Sequence, residues 1–209
     1  MCCLLSITVI LWTPKLAAAV TTPNSVHFIV YENSTYGIKM QYPSNWQKIQ
    51  TGETNKADRV IVEFKLPASV GGKLVAKKNQ TMLSILIHKL PPQNMMGNLL
   101  SFFDKEGSQK ISLEAFVLSH LTNLLTILPD FHLFKAESGG ATLGDTTPAH
   151  KLVYSYRGEG RDDVAKGMEI LTVKDDKGYI IRYMTEERKY FDYLPSIQST
   201  INSITITAK

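Results

Sequence analysis

The sequence predicts an α+β fold in which helices cover the faces of an antiparallel sheet. Three observations carry this reading. Short segments rich in β-branched and aromatic residues alternate with turn-forming pieces along most of the chain. One strong amphipathic pattern, Ser112 to Leu128, interrupts them mid-chain. A second apolar stripe follows Glu186, and no internal repeat, low-complexity tract or linker divides what lies between.

Taken in order, His27–Tyr31 and Gly37–Tyr42 read as two strands, with Asn33–Tyr36 turning the chain between them because Asn and Ser tolerate turns. Arg59–Leu66 (RVIVEFKL) alternates as a strand, and Thr81–Leu90 gives another; PASVGGKLVAKKNQ between them is a long loop punctuated by Gly71-Gly72. In the helix Ser112–Leu128, residues Leu113, Phe116, Val117, Leu121, Leu124 and Leu128 recur at three-four spacing, while Ser119, Thr122 and Thr126 occupy the other side. Ser112 is a natural N-cap, Glu114 suits the first turn, and Pro129 stops the helix. Strands return at Phe131–Glu137, Ala149–Arg157, Gly167–Lys174 and Gly178–Thr185. Asp175-Asp176-Lys177-Gly178 joins the last two as a hairpin turn in which Gly178 is expected to supply a positive φ. Leu194, Ile197, Ile201 and Ile204 then form a helical stripe, with Pro195 expected in a first turn, and the terminal ITIT reads as a last short strand.

The 209 residues suffice for one good-sized domain, and 44% hydrophobic with 20% charged residues describes a globular chain. The net charge of +4 is mild and its Lys and Arg are scattered, which argues against a nucleic-acid partner. Lys73, Lys77 and Lys78 sit in the glycine-containing loop and read as a solvated face. The first residues differ from the rest. Leu4–Trp12 (LLSITVILW) is an apolar run of nine, short of the roughly 20 residues a membrane-spanning helix needs. Ala17-Ala18-Ala19 follows with the small residues signal peptidase accepts, so residues 1–19 read as a secretory signal, 20–27 as a short leader and 28–209 as the domain. No Lys or Arg precedes the apolar run, and an uncleaved anchor is the rival reading. Cys2 and Cys3 both fall within the signal, leaving the mature chain without disulfides or thiolate chemistry. Asn33-Ser34-Thr35 and Asn79-Gln80-Thr81 are glycosylation sequons that fit an exported chain, with Asn33 and Asn79 as the acceptors.

Catalytic signatures are missing: there is no G-x-S-x-G elbow, Walker loop, H-E-x-x-H or G-x-G-x-x-G. None of His27, His88, His120, His132 and His150 pairs at helical metal-ligand spacing. His120, beside the apolar face of the helix, reads as a packed, hydrogen-bonded histidine. His150, close after Asp145, Thr146 and Thr147, reads as part of a loop entering a strand, with an acid-base or metal cluster as the alternative. Asp162-Asp163 and Asp175-Asp176 invite calcium, since hard cations prefer clustered oxygens, but neither has EF-hand spacing and both fall where turns are expected. No cofactor is therefore expected, calcium being the alternative. Met95-Met96-Gly97-Asn98-Leu99-Leu100-Ser101-Phe102-Phe103 is a dense apolar segment outside the regular elements. It reads either as a lid on the core edge or as an adaptable contact surface, with Met95, Met96, Leu99, Phe102 and Phe103 as the candidate contacts.

Three stretches carry a resemblance. Tyr36–Trp46 (YGIKMQYPSNW) looks like the opening strand of the PsbP-like family, which ends in Tyr-Pro and runs on to Trp. Gly144 through Pro148-Ala149 into Lys151-Leu152-Val153-Tyr154 resembles its central strand. Tyr179–Tyr183, through Tyr193-Leu194-Pro195, to Ile201–Ile204 resembles its closing strand, helix and strand. The similarity runs from about Phe28 to Ile206 and is greatest to secreted archaeal members. It implies an α/β/α sandwich around a central antiparallel sheet, shared with the Mog family. Plant members are extrinsic lumenal subunits of photosystem II that help the oxygen-evolving centre retain calcium and chloride and do no chemistry themselves. Their ion-contacting residues have no matching motif here, and no charge lies between Ala19 and Glu32 where plant members carry a basic docking extension. The resemblance thus implies a non-catalytic extracytoplasmic accessory module with a protein partner, docking on a membrane or envelope complex and peripheral to the membrane. An ion-retaining protein is the alternative, and an enzyme the least favoured. On this reading Trp46 and the tyrosines around it are architecture, with Pro43 ending a strand because it cannot donate to the ladder.

Overall fold

Alternation of side chains along the central strands places apolar residues on both sides, so both faces of the main sheet must be covered. The computed structural model describes residues 27–49, 58–67, 81–90, 112–144, 147–157 and 164–207. In chain order these form β1 (Phe28–Asn33), β2 (Ile38–Pro43), β3 (Gln47–Ile49), β4 (Asp58–Lys65), β5 (Met82–Lys89), α1 (Leu113–Ile127), β6 (His132–Leu143), β7 (Thr147–Arg157), β8 (Val164–Lys174) and β9 (Lys177–Glu186). A 3-10 turn (Glu187–Lys189), α2 (Tyr190–Asn202) and β10 (Thr205–Ile206) complete the series.

The strands make two sheets. Seven pair antiparallel in the order β3-β4-β5-β9-β8-β7-β6, and three more in the order β1-β2-β10. On one face of the large sheet Leu86, Leu152, Tyr154, Leu171 and Ile180 meet Phe116, Val117 and Leu124 of α1. On the other, Val62, Phe64, Ile85, Met168, Ile170 and Tyr183 meet Ile197 and Ile201 of α2 and Ile38 and Met40 of the small sheet. The result is an α+β sandwich with one helix on each face of the main antiparallel sheet, as the sequence predicts.

Local detail follows the expected rules in most places. Ser112 caps α1 by accepting the Ala115 amide at 3.1 Å, and Leu128 ends it just before Pro129. Asn33 Oδ1 accepts the amides of Thr35 and Tyr36, fixing the first turn. Trp46 closes a turn onto the Pro43 carbonyl at 3.0 Å and buries its ring beside Phe64.

Several expectations are corrected. The positive φ values of the 175–178 hairpin belong to Asp175 and Asp176, not to Gly178. Gly178 serves packing instead: a Cβ there would fall 2.4 Å from Cζ of the buried Phe116. Gly178→Ala is expected to destabilise by about 1–3 kcal/mol through overpacking, read from a urea titration. Gly37 lies in the turn and not in β2, with φ +65 and no room for a Cβ against the Thr207 carbonyl. Pro195 sits inside α2 beyond its first turn, so the Phe191 carbonyl lacks its usual helical partner. β3 and the first residues of β8 carry no strand signature strong enough to read alone; each is strand because a neighbour pairs with it. Thr147 and Pro148 likewise begin β7 before Ala149.

Candidate functional site

The face of the main sheet covered by α1 holds a buried charge. Glu169 on β8 is fully buried, opposite Arg182 on β9, and its carboxylate accepts Arg182 Nε at 2.5 Å and the Tyr154 hydroxyl at 2.9 Å. His120 of α1 completes the cluster, with Nε2 2.6 Å from the other carboxylate oxygen. Burial alone would raise the Glu169 pKa, but the Arg182 charge and the bonds from His120 and Arg182 outweigh it and hold it at about 2. A deprotonated carboxylate only accepts, so the His120 proton facing it is on Nε2. Burial and the neighbouring Glu169 push the Tyr154 hydroxyl well above its ordinary value, keeping it a neutral donor.

Beyond this cluster, under the C-terminal end of α1, lies a cavity of about 350 Å³. Leu124, Ile127 and Leu128 roof it, while Val60, Ser84, Leu86 and Met184 of the sheet floor it. Tyr154 and Tyr156 stand on one side, and Glu63, Arg182 and Glu186 are its charged lining. Glu186 is bound to Arg188 at 2.8 Å and to Lys189 at 3.2 Å; burial opposes its ionisation, but these partners prevail and lower its pKa. Gly167 keeps this wall open, since a Cβ would fall 2.6 Å from Met184 Sδ and 2.9 Å from Tyr154 Cζ.

The opposite side of the sheet carries a different feature. β6 is an edge strand whose pairing with β7 shifts between Leu133 and Lys135, which leaves Phe134 as the extra residue of a bulge. Phe134 stands over Lys166, whose ammonium is 4.5 Å from its ring centroid, 5.1 Å from Tyr190 and 5.5 Å from Phe191. Glu187 lies 3.6 Å from the same ammonium. His132 stacks edge-on against Phe134 at 4.7 Å. Phe134 is 48% exposed and Phe191 69%.

The sequence-predicted residues divide accordingly. His120 is the packed, hydrogen-bonded residue expected of it. His150 is buried within β7, its Nε2 without a hydrogen-bond partner among the described residues. Asp175 and Asp176 form the hairpin turn, and Asn33 turns its amide nitrogen toward the Tyr31 hydroxyl. Met95, Met96, Leu99, Phe102, Phe103, Asn79, Asp145, Asp162, Asp163 and residues 1–19 lie outside the described residues. Among the described residues no group of three or more His, Cys, Asp or Glu could hold a metal ion, and no helix is long and apolar enough to cross a membrane.

Glu169 and Arg182 escaped sequence reading, although a signal existed. Counting outward from the Asp175-Asp176 turn pairs Glu169 with Arg182, each at an inward-facing position of an otherwise apolar strand. The Phe134–Lys166–Phe191 cluster offered no such count, because a bulge and a helix start bring it together.

No protein-family model and no curated protein sequence matches the chain. Solved structures do. LpqN of Mycobacterium tuberculosis, involved in cell envelope biogenesis, is 15% identical with a TM-score of 0.53, over 88% of this chain and 93% of that one. The cyanobacterial PsbP (CyanoP) of Synechocystis is 14% identical with a TM-score of 0.52, over 92% and 99%. PA94 of Pseudomonas aeruginosa, a protein of unknown function, is 18% identical with a TM-score of 0.50, over 88% and 99%. At these identities the likeness is one of fold: the chain has the PsbP-like α+β sandwich.

Proposed function

We propose that this chain is a non-catalytic accessory module that works outside the cytoplasm and docks on a protein complex of the membrane or cell envelope. The observation that carries the reading is the exposed Phe134–Phe191 pair, preorganised around Lys166 by a bulge and a helix start. Large exposed aromatics fixed in place are what interface anchors look like before their partner arrives. The envelope role of LpqN, similar in fold, supports the location, and so does the apolar run with its alanine triplet before Val20.

The non-catalytic part rests on how the titratable groups around the cavity are engaged. Glu169 is bound by Arg182, His120 and Tyr154, and Glu186 by Arg188 and Lys189, so both are committed to structural partners. Glu63, the other carboxylate of the lining, has no ion pair among the described residues and faces no second uncommitted acid or base there. No cofactor enters the reading, because the Asp175-Asp176 pair is used by its turn.

Cross-linking of native membranes followed by affinity capture and mass spectrometry tests this. The wild type should return one recurrent protein complex, and Phe134→Ala/Phe191→Ala should reduce its recovery at least about tenfold with an unchanged melting temperature. Equal recovery with the double variant would remove the docking face. A melting temperature that rises in calcium, magnesium or zinc would transfer the reading to ion retention, since a ligand of the native state must stabilise it.

A further inference from the structure

We propose that the cavity under the C-terminal end of α1 binds a small amphipathic cation, an ammonium group on a short hydrocarbon or aromatic body, with Glu63 as its counter-ion. The walls supply the apolar half: Leu124, Leu128, Val60 and Met184 can take up a hydrocarbon body removed from water. The charges decide the other half. Three charged residues line the cavity, Glu63, Arg182 and Glu186.

Only Glu63 is unmatched among the described residues. Arg182 is matched by Glu169, and Glu186 by Arg188 and Lys189. Glu63 makes no ion pair among the described residues, although it faces the cavity from β4 beside Ser84 of β5. A carboxylate beside an apolar cavity lacks the solvation of open water, so it favours an incoming cation more than a surface glutamate would. Tyr154 and Tyr156, whose centroids are 6.4 Å apart, add ring faces that attract positive charge. An anionic ligand is disfavoured by the same inventory. To reach Arg182 it would compete with a carboxylate that is fully buried and already bonded to Nε.

This site lies on the α1 face of the sheet, and Phe134 and Phe191 on the other, so it stands or falls independently of the docking reading. The experiment is a titration of the full chain with hexylamine, hexanol and hexanoate, followed by methyl NMR of Met82 and Met184. Hexylamine should bind at least about tenfold more tightly than hexanol or hexanoate, the equivalent of one compensated charge at a half-buried position (about 1.4 kcal/mol). Glu63→Gln should bring hexylamine down to the level of hexanol, and Glu63→Asp should restore the preference. Ile127→Trp at the mouth, an exposed position, should weaken amine and alcohol alike. A preference for hexanoate, equal binding of amine and alcohol, or no methyl shift with any of the three overturns the proposal. So does a Glu63→Gln protein that is folded by circular dichroism and keeps the amine preference.

Discussion

Glu169→Ala will destabilise the fold by about 3 kcal/mol, near the lower end of what losing one partner of a buried ion pair costs. The lower end applies because Arg182 is 27% exposed, so water can solvate part of the orphaned guanidinium. The Tyr154 hydroxyl and His120 Nε2 lose their acceptor at the same time, the first beneath α1 and the second on its buried face. Urea unfolding of the two proteins gives the difference directly. The charge also leaves a pH signature. Folding lowers the Glu169 pKa from 4.5 to about 2, so its stabilisation is complete above pH 4.5 and is lost as the pH falls toward 2. Glu169→Gln should therefore flatten the acid limb of the stability curve across that window. A variant that retains the wild-type acid limb would show that other carboxylates produce it.

Trp46→Ala will cost about 3–5 kcal/mol, the range for truncating a buried large aromatic. The ring is 6% exposed and its centroid lies 6.3 Å from that of Phe64, which is wholly buried. Phe64 in turn meets Tyr42 at 4.5 Å and Tyr31 edge-on at 5.9 Å, so one cavity loosens a cluster that joins the small sheet to the large one. Against a typical domain stability of about 5–15 kcal/mol, such a loss brings the chain close to unfolding at body temperature. The midpoint in urea measures it. A midpoint within error of the wild type, combined with lost partner capture, would instead make Trp46 part of a binding platform.

The two candidate surfaces place different demands on the fold. The cavity depends on Gly167 leaving space for Tyr154 and Met184, and on α1 ending at Leu128 to leave its last turn overhanging the sheet. The aromatic face depends on the β6 bulge and on α2 starting where Tyr190 can bond its carbonyl to the Tyr183 hydroxyl at 2.9 Å. Neither set of determinants is shared with the other, which is why variants of each can be read separately.

What the chain alone determined is what local physics controls. Ser112 before an apolar three-four stripe and Pro129 after it define α1, because capping and the missing proline donor act within a few residues. Alternation in β4 and the β-branched run of β5 identify strands, and YGIKMQYPSNW, through its Tyr-Pro ending and its Trp, points to the PsbP-like sandwich. Tertiary structure decided the rest, for three physical reasons. Gly178 was read as a turn residue, but the pressure on it comes from Phe116, more than sixty positions earlier, and no local rule senses a ring arriving from a helix. Three-residue β3 and two-residue β10 exist only through the hydrogen bonds that β4 and β2 offer them. The functional candidates belong to the same class: Glu63, Arg182 and Tyr154 reach one cavity from three strands, and Phe134, Lys166 and Phe191 converge from two strands and a helix. Their meaning lies in charge balance and exposure, which arise only when the sheet and its two helices close around them.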